Sequence, residues 1–354
     1  MAKFELKLRP ATLEDAPIVA DLESLRDPEE PRDPVLLRHW WQMSDELERT
    51  MRRVDARDGE AVAYVAATHE KWNEDEKRFG IVRPLLRKDV WDDGVYAQLV
   101  RLAEDWLRGE GAATAVARVR EDMKQDIAAL DQLGYGEDRR MRTSELDLVA
   151  RRDHIMTTLE ECRRQMKQQG VELHPISEDR DPERYRKLHA TMIESEKDIP
   201  TTVPWRELSF EEWRRFWFDN PAIREDRFWI AREGDAIVGT SVLDSPVVRG
   251  IPWTAYTGTA RSVRGRGIAR ALKYETMAQA IEAGYVRVRT TNDSDNPSIL
   301  RINKEMGYQL VAPVVELHRK LYSPAPSPPA AVLPRKRGRA NSTTGSGGGS
   351  RPGC

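Results

Sequence analysis

Cysteine is almost missing: Cys162 and Cys354 are the only two in 354 residues. Two thiols cannot build a disulfide framework or a multi-cysteine zinc site. Their scarcity fits a reducing compartment, so a cytoplasmic location is expected, with no resident metal. Long apolar runs are missing as well. Nothing approaches the ~20 residues of a membrane helix. Residues 1–8 alternate like a strand and carry no apolar leader. The net charge is only −2, which gives no drive toward nucleic acid or an anionic membrane.

What is present is concentrated in Ser262-Val-Arg-Gly-Arg-Gly-Ile-Ala-Arg-Ala-Leu-Lys273. It reads as a loop turning directly into a helix. Gly265 and Gly267 let a ligand approach the backbone. The first N–H groups of the helix lack intrahelical partners and sit at the positive end of its dipole. A phosphate or pyrophosphate suits such a corner, and Arg264 and Arg266 add charge. Gly-Lys-Ser/Thr and Gly-x-Gly-x-x-Gly are both missing from this stretch, so it is neither a P-loop nor a dinucleotide fingerprint.

The surroundings have a definite order. Pro252 to Thr259 reads as a strand. Ala271, Tyr274, Ala278 and Ile281 recur at helical spacing, and Gly284 closes that helix. Tyr285 to Thr291 alternates like a strand. Asn296-Pro297 opens a second helix, with Asn as N-cap and Pro in the first turn, and Gly307-Tyr308 ends it.

The first half repeats this order. Gly267 lies 173 residues after Gly94, Gly284 lies 173 after Gly111, and Gly307-Tyr308 lies 173 after Gly134-Tyr135. A constant offset means one duplicated unit and two domains. The copies differ where it matters. Arg264-Gly-Arg-Gly267 corresponds to Trp91-Asp-Asp-Gly94, and Asn296 corresponds to Met123. Two carboxylates where an anion would sit repel it by about 1 kcal/mol or more. The N-terminal copy is therefore expected to have lost its anion site.

Arg264-Gly-Arg-Gly-Ile-Ala269, followed by Asn296 and Gly307-Tyr308, resembles the coenzyme A signature and closing motif of the GNAT (Gcn5-related) N-acetyltransferases. The ordered run covers about Trp229 to Leu317. With the duplication, the chain resembles the tandem-GNAT type, such as mycothiol synthase and its relatives. The resemblance implies two tandem α/β (α+β) folds, each a mixed, mostly antiparallel sheet flanked by helices. The expected organisation is a degenerate N-terminal domain over 1–150, a bridging helix over 151–170, an active C-terminal domain over 171–322 and a disordered tail over 323–354. Acetyl-CoA is the implied co-substrate. Arg264, Gly265, Arg266, Gly267, Ile268 and Ala269 would hold its pyrophosphate. The backbone of Thr257, Gly258 and Thr259 would align the pantetheine, and one N–H there would polarise the thioester carbonyl. Asn296 is a candidate coenzyme contact and equally a plain N-cap.

The acid and base are less defined. Many family members place a tyrosine five residues before the final aromatic; here that position is Asn303, which does not titrate but can donate a hydrogen bond to a thiolate. Asp244, Asp198, Glu194, Glu196 and Tyr256 are the base or cleft candidates, each weighed against an ordinary surface or core role. Trp205, Trp213 and Trp217 read as core first and acceptor wall second. Cys162 reads as a packed small hydrophobe. The tail carries Arg335-Lys-Arg-Gly-Arg339, read as a solvated basic cluster and, as a third reading, a DNA-recruitment arm. The leading expectation is an N-acetyltransferase acting on a small-molecule primary amine. The alternative is a non-catalytic acyl-CoA-binding regulatory or structural protein.

Overall fold

Helix boundaries in the computed structural model fall where local chemistry puts them. The structure describes residues 4–70, 78–199, 207–293 and 296–321; Trp205 and the tail from Ser323 lie outside the described residues. The N-terminal half runs β1 (Arg9–Pro10), α1 (Ala16–Arg26), α2 (Pro34–Leu47), β2 (Glu48–Arg57), β3 (Glu60–Glu70), β4 (Phe79–Leu86), α3 (Asp93–Glu110), β5 (Thr114–Arg120), α4 (Lys124–Gln132) and β6 (Gly136–Asp147). The linking helix is α5 (Arg152–Gln168). The C-terminal half runs β7 (Val171–Pro175), α6 (Arg184–Glu196), α7 (Phe210–Phe218), β8 (Phe228–Glu233), β9 (Ala236–Asp244), β10 (Trp253–Thr259), α8 (Ile268–Glu282), β11 (Arg287–Asp293), α9 (Pro297–Met306), β12 (Gln309–Leu310) and β13 (Val314–Lys320).

The repeat is visible in the backbone. Gly111, Gly134, Gly284 and Gly307 all take left-handed φ values, from 82 to 98°, where a residue with a Cβ is strained. Each ends a helix at matching places in the two halves.

One sheet of 13 strands runs through both halves, in the order β1-β2-β3-β4-β5-β13-β6-β11-β10-β9-β8-β7, with β12 on β6. The pairing is antiparallel except at β4/β5 and β10/β11. The last strand of each half is exchanged. β13 lies against β5 from Val314↔Arg120 to Lys320↔Thr114. β6 lies against β11 from Arg287↔Asp147 to Asp293↔Met141. The exchange leaves no free strand edge in the middle of the sheet, and residues 1–322 form one compact unit.

Helices cover both faces. α3 packs on one face of the N-terminal half, and α5 and α8 pack on the same face of the C-terminal half. The opposite face carries α1 and α2 at one end and α6 and α7 at the other. Trp213 and Trp217 are buried in that last cluster with Phe228 and Tyr256, which makes them core residues. Cys162 is buried too, and burial pushes its thiol up to about 11. It is not a reactive thiol at neutral pH.

One local expectation differs from the structure, and one strand had no expectation at all. The strand expected over residues 4–8 does not form; the two-residue β1 falls just after it, at Arg9–Pro10. The strand β2 carries no readable apolar pattern, because its buried positions include Arg52 and Asp55. These are paired, Arg52 with Asp45 at 2.5 Å and Asp55 with Arg57 at 2.9 Å, and pairing is what lets charges sit inside.

Candidate active site

β10 and β11 make a fork. Their only parallel contact is Trp253↔Arg289. Beyond it β10 runs on to Thr259, still paired with β9 through Gly258↔Thr240 and Thr259↔Gly239, with an irregularity between Thr254 and Tyr256. The side of residues 255–259 that faces β11 therefore has no strand partner, and its backbone groups are available to a ligand. Gly258 is required by crowding: a Cβ there would lie 2.6 Å from the Tyr256 hydroxyl and 2.8 Å from Ser195 Oγ. Thr257 Oγ1 shares a 2.9 Å hydrogen bond with Ser241 Oγ.

At the mouth of the fork stands the glycine loop. Gly265 and Gly267 have φ of 78 and 86°. A Cβ on Gly265 would meet nothing within 4 Å, so that position opens to solvent. Gly267 is the N-cap of α8, and no side chain caps that helix. Its first N–H groups thus remain for an anion. Ile268 is buried and contributes through its backbone alone. The loop is propped from α5 and its C-cap: Gln165 and Gln169 amides donate to the Arg266 carbonyl at 3.2 and 3.1 Å. Arg266 reaches Glu233 at 2.8 Å and Arg264 reaches Asp198 at 2.7 Å. Both pairs are partly exposed, so they are cheap to exchange for a phosphate.

The candidate acids and bases are sorted by their surroundings. Arg261 and Arg264 flank Asp198 and hold its carboxyl well below the usual range. A carboxylate so held is a poor base. Glu194 accepts the Arg261 backbone N–H at 2.7 Å and belongs to the same loop support. Tyr256 turns into the core, where its hydroxyl meets Ser195 Oγ at 2.6 Å and burial pushes its pKa up. It does not face the fork. Asn296 accepts the Ile299 N–H at 3.4 Å and acts as the cap of α9.

Asp244 is different. It ends β9, opposite Trp253 at the start of the fork. Burial pushes its pKa up to about 6, opposed by Arg32 and assisted by Asp33. Both of those residues come from the N-terminal half. Asp33 caps α2 and also accepts the backbone N–H groups of Val247, Val248 and Arg249 at 2.8, 2.6 and 3.2 Å. The connector between α1 and α2 is thus pinned over the β9–β10 loop. Arg32 and Arg83 share one oxygen of Glu23 at 2.7 and 2.6 Å, yet 40% of the Arg32 side chain stays open to solvent. Glu30 reaches Arg289 at 3.0 Å. Asp244 was legible as a candidate; Arg32 was not, because it lies over 200 residues away in sequence.

Asn303 is only 3% exposed. Its Oδ1 accepts a 2.7 Å hydrogen bond from Lys273 Nζ, and its Nδ2 donates to Asn292 Oδ1 at 2.7 Å. Lys273 had no signal in the sequence beyond its place on α8.

The corresponding fork in the N-terminal half is filled. β4 and β5 pair over four residues, from Phe79↔Thr114 to Val82↔Ala117. Beyond them Arg26, with 4% of its side chain exposed, donates to the Leu86 carbonyl on one prong and to both oxygens of Asp126 on α4 at 2.5 Å. Its guanidinium lies 5.5 Å from the Trp91 ring, which stacks on Tyr96. The helix N-terminus is occupied as well: Asp92 caps α3, accepting the Val95 N–H at 3.0 Å.

Comparison with known proteins identifies the duplicated unit. The acetyltransferase (GNAT) family profile matches twice, over residues 16–135 and 190–308. The chain belongs to the GNAT acetyltransferase family. The two matches are the two halves of the duplication. Among solved structures, a tandem GNAT protein from the clavulanic acid biosynthesis pathway superposes with a TM-score of 0.67 at 16% identity, over 90% of this chain and 99% of that one. A GCN5-related N-acetyltransferase from Sphaerobacter thermophilus gives 0.63 at 20%, over 90% and 96%. FemX gives 0.56 at 13%, over 88% and 97%. At these identities the likeness is one of fold. A search of curated proteins finds no match. Family and fold place this GNAT chain among acyl-transferring enzymes of the tandem type. Among the described residues, no helix is long and apolar enough to cross a membrane.

Proposed function

We propose that this tandem GNAT chain is an acetyl-CoA-dependent N-acetyltransferase of the cytoplasm, acting on a primary amine of a small molecule through its C-terminal half alone. The observation that carries this reading is the contrast between the forks. One is open, with left-handed glycines and an uncapped helix at its mouth. The other is crossed by Arg26 and capped by Asp92.

In this reading the N–H groups from Gly265 to Ala269 hold the pyrophosphate, with Arg264 and Arg266 released from their carboxylates to help. The backbone of Thr257 to Thr259 aligns the pantetheine. A backbone N–H on the open side of β10 polarises the thioester carbonyl. Asp244 takes the amine proton, directly or through water, with a pKa placed for that task. The N-terminal half serves the acceptor end: its connector covers Asp244, and Arg32 keeps that carboxyl from rising further. The tail has no part in this reading.

Calorimetric titration of acetyl-CoA into the wild type, Gly267→Trp and Gly94→Trp tests it, followed by thiol release with a panel of amines. One site per chain, lost only in Gly267→Trp, is expected. Two sites, or loss in Gly94→Trp, would overturn the division of labour. Binding with no thiol release for any amine would favour a non-catalytic coenzyme-binding role instead.

A further inference from the structure

Lys273 is an anomaly of the C-terminal core. It is fully buried, on the second turn of α8. Among the described residues no carboxylate pairs with it. Its partners are neutral: Asn303 Oδ1 at 2.7 Å and the face of Tyr308, 5.1 Å from the ring centroid. Several charged groups of the helices around it are engaged elsewhere. On α5, Arg163 pairs with Glu275 and His154 meets Tyr274; between α8 and α9, Arg270 pairs with Glu305. Thr254 of β10 meets the Tyr308 hydroxyl at 3.4 Å. That hydroxyl is neutral, its pKa pushed up by burial. Burial alone brings the Lys273 amine down to about 7. An ammonium ion in such a place costs several kcal/mol, and a methionine would fill the same space without that cost.

The chain of contacts from Lys273 leads to the fork. Asn303 Nδ2 donates to Asn292, and Asn292 lies on β11 three residues past Arg289, the last point where the two prongs touch. An amide nitrogen has two hydrogens, so one remains after that bond. With Oδ1 held by Lys273 and one hydrogen held by Asn292, the direction of the other is fixed.

Resting on the reading that coenzyme A occupies this fork, we propose that Lys273 is a positioning residue that orients and polarises the Asn303 amide so that its free N–H supports the coenzyme sulfur as a thiolate. In the transfer, the amine nitrogen bonds to the acetyl carbon and the C–S bond breaks. The electron pair stays on sulfur, and the amine proton goes to Asp244. No proton passes through Asn303. The lysine acts by charge and by fixing the amide, and a negative sulfur in turn favours the protonated lysine.

The test reads the thiol itself rather than turnover. Free coenzyme A is bound to the wild type, Lys273→Met and Asn303→Leu, and its thiolate is titrated by ultraviolet absorbance. Desulfo-coenzyme A affinity and a circular dichroism melt serve as controls. In the wild type the bound thiol is expected to ionise below the ordinary thiol value of about 8.5. Lys273→Met should raise its pKa by about one unit, a tenfold change, while desulfo-coenzyme A affinity stays within about twofold. Asn303→Leu should give the same rise, which keeps the test alive if one variant does not fold. An identical thiol pKa in all three proteins, with coenzyme bound, would overturn this inference and leave the proposed function standing. No binding of coenzyme A to the wild type would overturn both.

Discussion

Arg26 and Asp126 form a buried ion pair across the N-terminal fork, with both carboxylate oxygens 2.5 Å from Nη2. A hundred residues separate them in sequence, and the pair occupies the place where the other half leaves an opening. Removing one partner would strand a buried charge. Arg26→Met is therefore expected to cost about 3–5 kcal/mol, and so is Asp126→Leu, whereas the double variant should recover most of the loss. Urea melts of the three variants check this. Acetyl-CoA stoichiometry should stay at one per chain throughout.

The pH profile should report Asp244. Its pKa near 6 is above that of an exposed aspartate because burial disfavours the charged form. A base must be unprotonated, so kcat/KM should fall about tenfold per unit as the pH drops below about 6. Asp244→Asn should remove that limb and lower kcat by about 10²–10⁴. Asp198→Asn should keep the limb, because two guanidiniums already hold that carboxyl ionised far below this range.

Lys273 should leave a mark on stability. In the unfolded chain the lysine keeps its proton up to about its ordinary 10.5, and in the folded protein it releases it near 7. Between these values the unfolded state binds more protons, so stability should rise with pH, by up to about 1.4 kcal/mol per unit. Below about 7 both states are protonated and this contribution is flat. Denaturant melts from pH 7 to pH 10 read the slope, and Lys273→Met should flatten it.

Strand exchange predicts that neither half is complete alone. Residues 1–150 lack β13, which β5 and β6 both need. Residues 151–322 lack β6, the outer partner of β11. Expressed separately, each half would present a bare central edge and should aggregate. Co-expressed, they should copurify and bind acetyl-CoA. Soluble, coenzyme-binding 151–322 on its own would contradict this.

The repeat, the glycine loop and the helix ends were readable because each depends on a few neighbouring residues. A left-handed φ at Gly111, Gly134, Gly284 and Gly307 calls for glycine whatever the rest of the chain does. Capping works the same way, which is why Asn296 announces its helix. The filling of the first copy's fork and helix N-terminus was half visible, as Asp92 and Asp93. The other half was not, because Arg26 belongs to a different helix.

The sequence by itself determined the duplicated unit, the order of its elements, the glycine loop of the C-terminal copy and the carboxylates at the corresponding place in the N-terminal copy. Only the tertiary structure decided where each candidate sits and what it touches. It turned Tyr256 into the core, tied Asp198 to two arginines, set half-buried Asp244 beside a connector from the other half, and placed Lys273 behind Asn303. The physical reason is range. Backbone conformation and capping are settled within a turn or two of chain, whereas burial, ionisation and strand partners depend on which distant surfaces fold together.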